Sequence, residues 1–237
     1  MKVAIMQPYF LPYIGYFQLI SAVDTFVIYD NIQYTKKGWI NRNRMLLNGK
    51  DELFSISLKK DSDYLNINER EIALSFQKDK GKILGRIQNS YRKSPYFKET
   101  FPLIKEIFEY NCTNLFSFVY NAILQLCNSL EIESNIIKSS SLTEKTDVSG
   151  EERVIGICNL LQAQEYYNPI GGLELYSERR FEESGINLNF LKSNEILYPQ
   201  FNNEFVPWLS ILDVMMFNSK EEISSFLNNY SLVNPIK

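Results

Sequence analysis

The chain has 237 residues, 45% hydrophobic and 22% charged, with a formal net charge of −3 and no histidine. That length and composition fit one globular domain over 1–237 and exclude collagen-like, mucin-like and disordered classes. Zero histidines exclude a Ser-His-Asp triad and a His-ligated zinc, and slight acidity argues against a general nucleic-acid binder.

In chain order, Lys2–Met6 is an unbroken apolar run, the pattern of a strand buried on both faces of a parallel sheet. Tyr13–Val23 has helical apolar spacing, and Thr25–Tyr29 is β-branched and aromatic, so the first thirty residues predict a right-handed βαβ unit. Ile40–Leu47 and Glu52–Leu58 flank Asn48-Gly49, the strongest hairpin signal in the chain. A helical segment over about 77–130 follows, with a three-four apolar stripe from Leu115 to Leu130. Strands near Asn135–Lys138, Glu165–Asn168 and Ile186–Leu191 alternate with helices from Glu151 and Ser177. Two helices, Trp208–Phe217 and Lys220–Leu227, close the chain. This alternation predicts an α/β fold with a mostly parallel sheet, one inserted β-hairpin and a helical middle. The polar stretch Ser139–Gly150 is the expected mobile segment.

No apolar stretch reaches the ~20 residues of a membrane span. Pro8 and Pro12 break the N-terminal run, so no targeting segment is expected and a cytoplasmic location is predicted. The three cysteines, Cys112, Cys127 and Cys158, are too few and scattered for a disulfide framework or an all-cysteine metal site, and no tightly held metal is expected.

Four stretches are candidates for function. Gln7-Pro8-Tyr9-Phe10-Leu11-Pro12-Tyr13-Ile14-Gly15-Tyr16 joins the first strand to its helix, at the sheet edge where α/β proteins bind ligands. Gln7, Tyr13 and Tyr16 are its candidate binding residues. Asp30 ends the second strand and is the candidate acid/base. It is followed by Gln33, Lys36, Lys37, Trp39, Asn41, Arg42, Asn43 and Arg44, where four cations fall within nine residues with no acid among them. That cluster suits an anionic ligand such as a nucleotide sugar, with Trp39 stacking on a ring, or it is a basic hairpin edge. Alternation puts Arg42 and Arg44 on one face, opposite Asn41 and Asn43. In the third stretch Asn168 precedes the Gly171-Gly172 turn, whose N–H groups suit phosphate or carboxylate. In the fourth, Gln200 precedes Asp213, an acid in an apolar helix that is either a buried partner of an arginine or an active-site acid. Gln7, Asp30 and Asn168 are expected to line one cleft.

Strand, Gln-Pro-x-x-x-Pro-x-x-Gly-Tyr, helix, and a strand ending in Asp resembles the opening of H-x-G-H nucleotidylyltransferases, with Tyr13 and Tyr16 standing where the motif histidines would be. That resemblance implies a Rossmann-like sheet and a nucleotide ligand with Mg2+ arriving on its phosphates. Lys138-Ser139-Ser140-Ser141-Leu142 resembles the second phosphate loop of those enzymes, or is an ordinary polar loop. Taken together, the motifs M-Q-P-Y-F-x-P-Y-I-G-Y, V-I-Y-D-x-x-Q-Y with K-x-G-W-I-N-R-N-R, N-P-I-G-G-x-E-L-Y and Y-P-Q…L-S-I-x-D-V-x-M-F-N resemble the WbqC-like family from the first residues to about Phe226. Members of that family usually carry a second acid where this chain has Asn31. The resemblance implies a part in bacterial O-antigen or other surface-polysaccharide synthesis. The expectation is an enzyme, a transferase of lipopolysaccharide synthesis acting on a nucleotide sugar or amino sugar. The alternative is a non-catalytic binding or assembly subunit of a glycan-synthesis complex.

Overall fold

A computed structural model describes residues 1–142, 148 and 150–234. The segment read as mobile lies outside the described residues over 143–147 and at 149. The elements are β1 (Lys2–Met6), α1 (Ile14–Ser21), β2 (Thr25–Ile28), β3 (Arg42–Leu47), β4 (Lys50–Ser55), α2 (Phe76–Tyr91), α3 (Phe97–Glu109) and α4 (Leu115–Ser129). They continue with β5 (Asn135–Lys138), α5 (Gly150–Leu160), β6 (Glu165–Pro169), α6 (Glu178–Glu183), β7 (Asn187–Ser193), α7 (Ile211–Phe217), α8 (Lys220–Leu227) and β8 (Tyr230–Val233). The main sheet runs β5-β2-β1-β6-β7-β8. All its pairings are parallel except β7 with β8, and β3 and β4 form a separate antiparallel hairpin.

Strand alternation divides the core in two. In β1, Val3 and Ile5 face a cluster built with Val154, Ile157 and Cys158 of α5 and Phe181 of α6. Ala4 faces the other way, into the larger cluster formed with α1, the helical middle, α7, α8 and the hairpin. A central strand of this sheet therefore needs apolar side chains at every position, the pattern read in Lys2–Met6. The result is an α/β fold, a Rossmann-like sheet with helices on both faces.

One expectation needs correction at the residue level, the helix start at Trp208, and two details are added. Trp208 is not helical: it has φ of 60°, and α7 starts at Ile211 after Ser210, whose hydroxyl accepts the Leu212 N–H at 3.2 Å. The Pro-Ile-Gly-Gly stretch is a 3₁₀ turn over Ile170–Leu175. The edge strand β8 was not expected. The hairpin keeps the register read from Asn48-Gly49, with φ of 52° and 75° at those residues, as a two-residue primed turn requires.

The hairpin and α7 together fix the loop after β1. Phe10 N–H donates to Trp39 O (3.2 Å) and Ile211 N–H to Pro12 O (2.8 Å). Asn43 Nδ2 donates to Phe10 O (3.1 Å) and Leu11 O (2.8 Å), and Ser210 Oγ donates to Leu11 O (2.7 Å). Leu11 sits at φ of 45°, a conformation held by those contacts.

Candidate functional site

From β1 the chain winds one way through β2 to β5, then crosses back to β6 and winds the other way to β7 and β8. The order reverses between β1 and β6, and a crevice opens beyond the carboxyl ends of strands at such a point. A cavity of about 700 Å³ lies there, lined by Gln7 from the end of β1 and Asn168 from the end of β6.

Its walls are aromatic. Tyr9, Tyr13, Tyr16, Tyr29 and Tyr176 all line it. Tyr16 donates its hydroxyl to Gln7 O at 3.0 Å, and its ring lies 5.6 Å from that of Tyr9. Burial pushes the Tyr9 and Tyr13 phenols up and the Tyr16 phenol well above the usual range. These rings therefore stay neutral near pH 7 and offer flat faces and hydroxyls rather than charge. Tyr13 caps α1, and its ring covers Gly15 so closely that a Cβ there would lie 2.3 Å from it. Asn168 is likewise accommodated by Gly172, since its Nδ2 would lie 1.9 Å from a Cβ at that position. Its Oδ1 accepts the Tyr166 hydroxyl at 3.2 Å, and its Nδ2 donates to Pro169 O at 3.1 Å. Gly171, also in the lining, faces open space.

Among the described lining residues the cation is Arg153 of α5, and Glu151 of the same helix is the acid. Arg153 Nη2 donates to Asn31 Oδ1 at 2.7 Å, and its guanidinium lies 5.1 Å from the Tyr29 ring centre. Sequence reasoning missed Arg153. The local pattern, Glu151-Glu152-Arg153 ahead of Val154-Ile155, reads as an ordinary charged helix start and gives no signal of it.

Asp30 lies outside that lining. It is 2% exposed, and its carboxylate is enclosed by donors. Oδ1 accepts Ser139 Oγ (2.9 Å) and the Ser140 N–H (2.8 Å), while Oδ2 accepts Ser140 Oγ and Asn68 Nδ2 (3.3 Å). The serines after β5 thus anchor the turn onto the end of β2. Asn31, next to Asp30, carries the connection on to Arg153 at the cavity. Of the three residues expected in one cleft, Gln7 and Asn168 line it and Asp30 stands behind it.

The basic cluster forms a neighbouring surface, and acids from outside the segment pair with two of its four cations. Lys36 pairs with Asp63 (2.7 Å) and Arg44 with Asp51 (3.1 Å) across the hairpin. Lys37 is exposed, and its carbonyl accepts from Arg42 Nη2 at 2.5 Å. Arg42 and Arg44 share one face, their guanidinium carbons 5.8 and 5.6 Å from the Trp39 ring centre. Asn43 points inward to the Phe10–Leu11 backbone. Asn41 accepts the Tyr34 hydroxyl (2.9 Å) and donates to Ile56 O (2.9 Å). Gln33 donates to Asp63 O at the exposed edge.

Gln200 and Asp213 sit elsewhere, in a buried network. Asp213 is fully buried. It accepts Tyr91 Oη (2.8 Å) on Oδ1, and Tyr198 Oη (2.7 Å) and Gln200 Nε2 (2.7 Å) on Oδ2. Its partners are thus two phenols and an amide in place of the arginine considered from sequence. Tyr91 Oη in turn accepts the Leu46 N–H at 2.7 Å, which ties the hairpin, α2 and α7 together. Desolvation pushes the Asp213 carboxyl up to about 6, against the lowering effect of its three donors.

Among the described residues, no three His, Cys, Asp or Glu side chains gather as a metal site, and no helix is long and apolar enough to cross a membrane.

A mostly parallel α/β sheet with helices on both faces and a crevice at its reversal point defines the fold class. Within that class, residues 7–225 match the WbqC-like protein family, and the chain belongs to it. It is similar to the uncharacterized protein Rv1507c of Mycobacterium tuberculosis (strain ATCC 25618 / H37Rv), at 30% identity over 95% of this chain and 97% of that protein. No solved structure matches.

Proposed function

We propose that this protein is an enzyme of bacterial surface-polysaccharide (O-antigen) synthesis that binds a nucleotide-linked or amino sugar and takes part in group transfer to or from it. The observation that carries the reading is the cavity of about 700 Å³ at the β1–β6 reversal, a volume suited to a nucleotide-sized ligand. In this reading the tyrosines pack against flat faces of the ligand, and the Gln7 and Asn168 amides set its orientation. Arg153 and the Gly171-Gly172 turn receive phosphate or carboxylate. Any Mg2+ arrives with the ligand's phosphates. In this reading Asp30 is the acid/base and acts from behind the cavity, its Oδ2 reaching the surface through the hydroxyl of the exposed Ser140.

A second reading, a non-catalytic binding or assembly subunit, draws on the enclosure of Asp30 by four donor contacts behind the cavity. Melting-temperature measurements with nucleotides, nucleotide sugars and acyl donors separate the two. A ligand of the native state raises the melting temperature by mass action. The enzyme reading expects at least one nucleotide sugar to do so, with the shift lost in Arg153→Ala and Asn168→Ala. If no compound shifts wild type, that reading fails and the assembly reading gains.

A further inference from the structure

Beside the main cavity, and sharing Tyr9 and Tyr13 with it, is a slot of about 170 Å³ that also involves Trp39, Arg44 and Trp208. Trp39 is 37% and Trp208 59% exposed, so two of the largest apolar side chains are left partly in water at one place. Trp208 is held there by a backbone at φ of 60°, costly for a bulky residue. Its carbonyl accepts Arg44 Nη2 at 3.2 Å, and the Ser210 N–H donates to Arg44 O at 3.0 Å, which locks that conformation onto β3. The Tyr13 ring meets Trp208 edge-on at 5.9 Å. Strain spent on presenting an aromatic ring to solvent points to a ligand.

The chemistry of the slot narrows the ligand. Two guanidiniums already lie against Trp39, which disfavours a cationic guest, and Asp51 neutralises Arg44, which disfavours a purely anionic one. Reading a nucleobase edge needs amides, and Asn43 has spent its amide on the Phe10, Leu11 and Arg44 backbone. What remains is the exposed aromatic surface of the two indoles, with Tyr9 and Tyr13 in the same lining. The volume corresponds to about six waters.

We propose that this slot is a saccharide subsite: one pyranose ring lays its C–H face on Trp39 and Trp208 and places hydroxyls against the Tyr9, Tyr13 and Arg44 rim. This deepens the reading above, giving the sugar a place separate from the main cavity, with Trp208 as a binding residue.

The two tryptophans of the chain are both in the slot, so intrinsic emission reports on it directly. Methyl glycosides of glucose, N-acetylglucosamine and a 6-deoxyhexose should each be titrated alongside uridine, adenosine and UDP, with UDP binding also followed by calorimetry. At least one glycoside should change the emission saturably. Trp208→Ala, followed through the remaining Trp39, should weaken it at least about tenfold with an unchanged melting temperature. Wild-type affinity in Trp208→Ala, nucleosides acting in place of glycosides, or no saturable response to any glycoside overturns the subsite. Glycoside binding without UDP binding keeps the subsite and removes the nucleotide cavity, whereas UDP binding without a glycoside response does the reverse.

Discussion

The Asn168 side chain occupies the space that a side chain on Gly172 would need, with Nδ2 1.9 Å from an ideal Cβ there. The end of β6 and the turn that follows are therefore built around one another, and the glycine requirement is steric at Gly172 but not at its neighbour. Gly172→Ala is expected to displace Asn168 from Tyr166 and cost about 1 kcal/mol of stability. Gly171→Ala meets nothing within 4 Å and should be neutral or slightly stabilising, by about 0.5 kcal/mol, through the unfolded chain. Chemical denaturation of both variants checks this. Equal losses in the two would refute the steric account.

Asp30 is expected to matter first for the integrity of the sheet edge. Asp30→Asn leaves donors of Ser139, Ser140 and Asn68 facing an amide that cannot accept from all of them. A loss of about 2 kcal/mol in unfolding free energy is expected. Ser140→Ala removes one hydroxyl contact at an exposed residue and should cost about 1 kcal/mol or less. If Asp30→Asn melts like wild type, the donor cage contributes nothing and Asp30 is held for chemistry alone.

Much of the fold was legible because local pattern and tertiary role agree. Lys2–Met6 is apolar throughout and is buried on both faces. Asn48-Gly49 demands positive φ and has it. The edge strand Tyr230–Val233 was not legible, because four residues with two exposed positions carry no period. The candidate residues that line the cavity, Gln7, Tyr13, Tyr16, Asn168, Gly171 and Gly172, come from the segments that directly follow β1 and β6, where a strand-to-helix pattern is readable. The serine partners of Asp30 are 109 and 110 residues away, and no local pattern specifies them. The acid partners of two cations of 36–44 were hidden for the same reason: Asp51 answers Arg44 only once the hairpin forms, and Asp63 reaches Lys36 from the following loop.

Thiol reactivity should follow burial. The Cys127 and Cys158 thiols are pushed up to about 12 by desolvation, and both are buried, whereas Cys112 is partly exposed. Because the thiolate is the reactive form, iodoacetamide at pH 8 should add one label to the native protein and three after denaturation. Mass spectrometry counts the labels, and rapid native modification of Cys127 or Cys158 would contradict their packing.

The Asp213 network gives the protein a pH dependence whose sign is fixed by desolvation. Its carboxyl is held up to about 6 in the folded chain, against a usual value of 3.8. Between those values the native state binds more protons than the unfolded state, so this group makes stability fall as pH rises. Its stabilising contribution is full below about pH 4, the unfolded value, and is lost as pH rises through 6, with a total change on the order of 3 kcal/mol. Asn at this position cannot titrate, but its amide leaves fewer acceptors for Tyr91, Tyr198 and Gln200, so Asp213→Asn should be destabilised at acidic pH. The informative quantity is the stability of wild type minus that of Asp213→Asn from urea unfolding at pH 4.5, 6 and 7.5, because other titrating groups largely cancel in it. That difference should shrink steadily with rising pH. A difference that stays flat or grows would mean that the carboxylate's three donors outweigh its burial, and that Asp213 is charged at all three pH values.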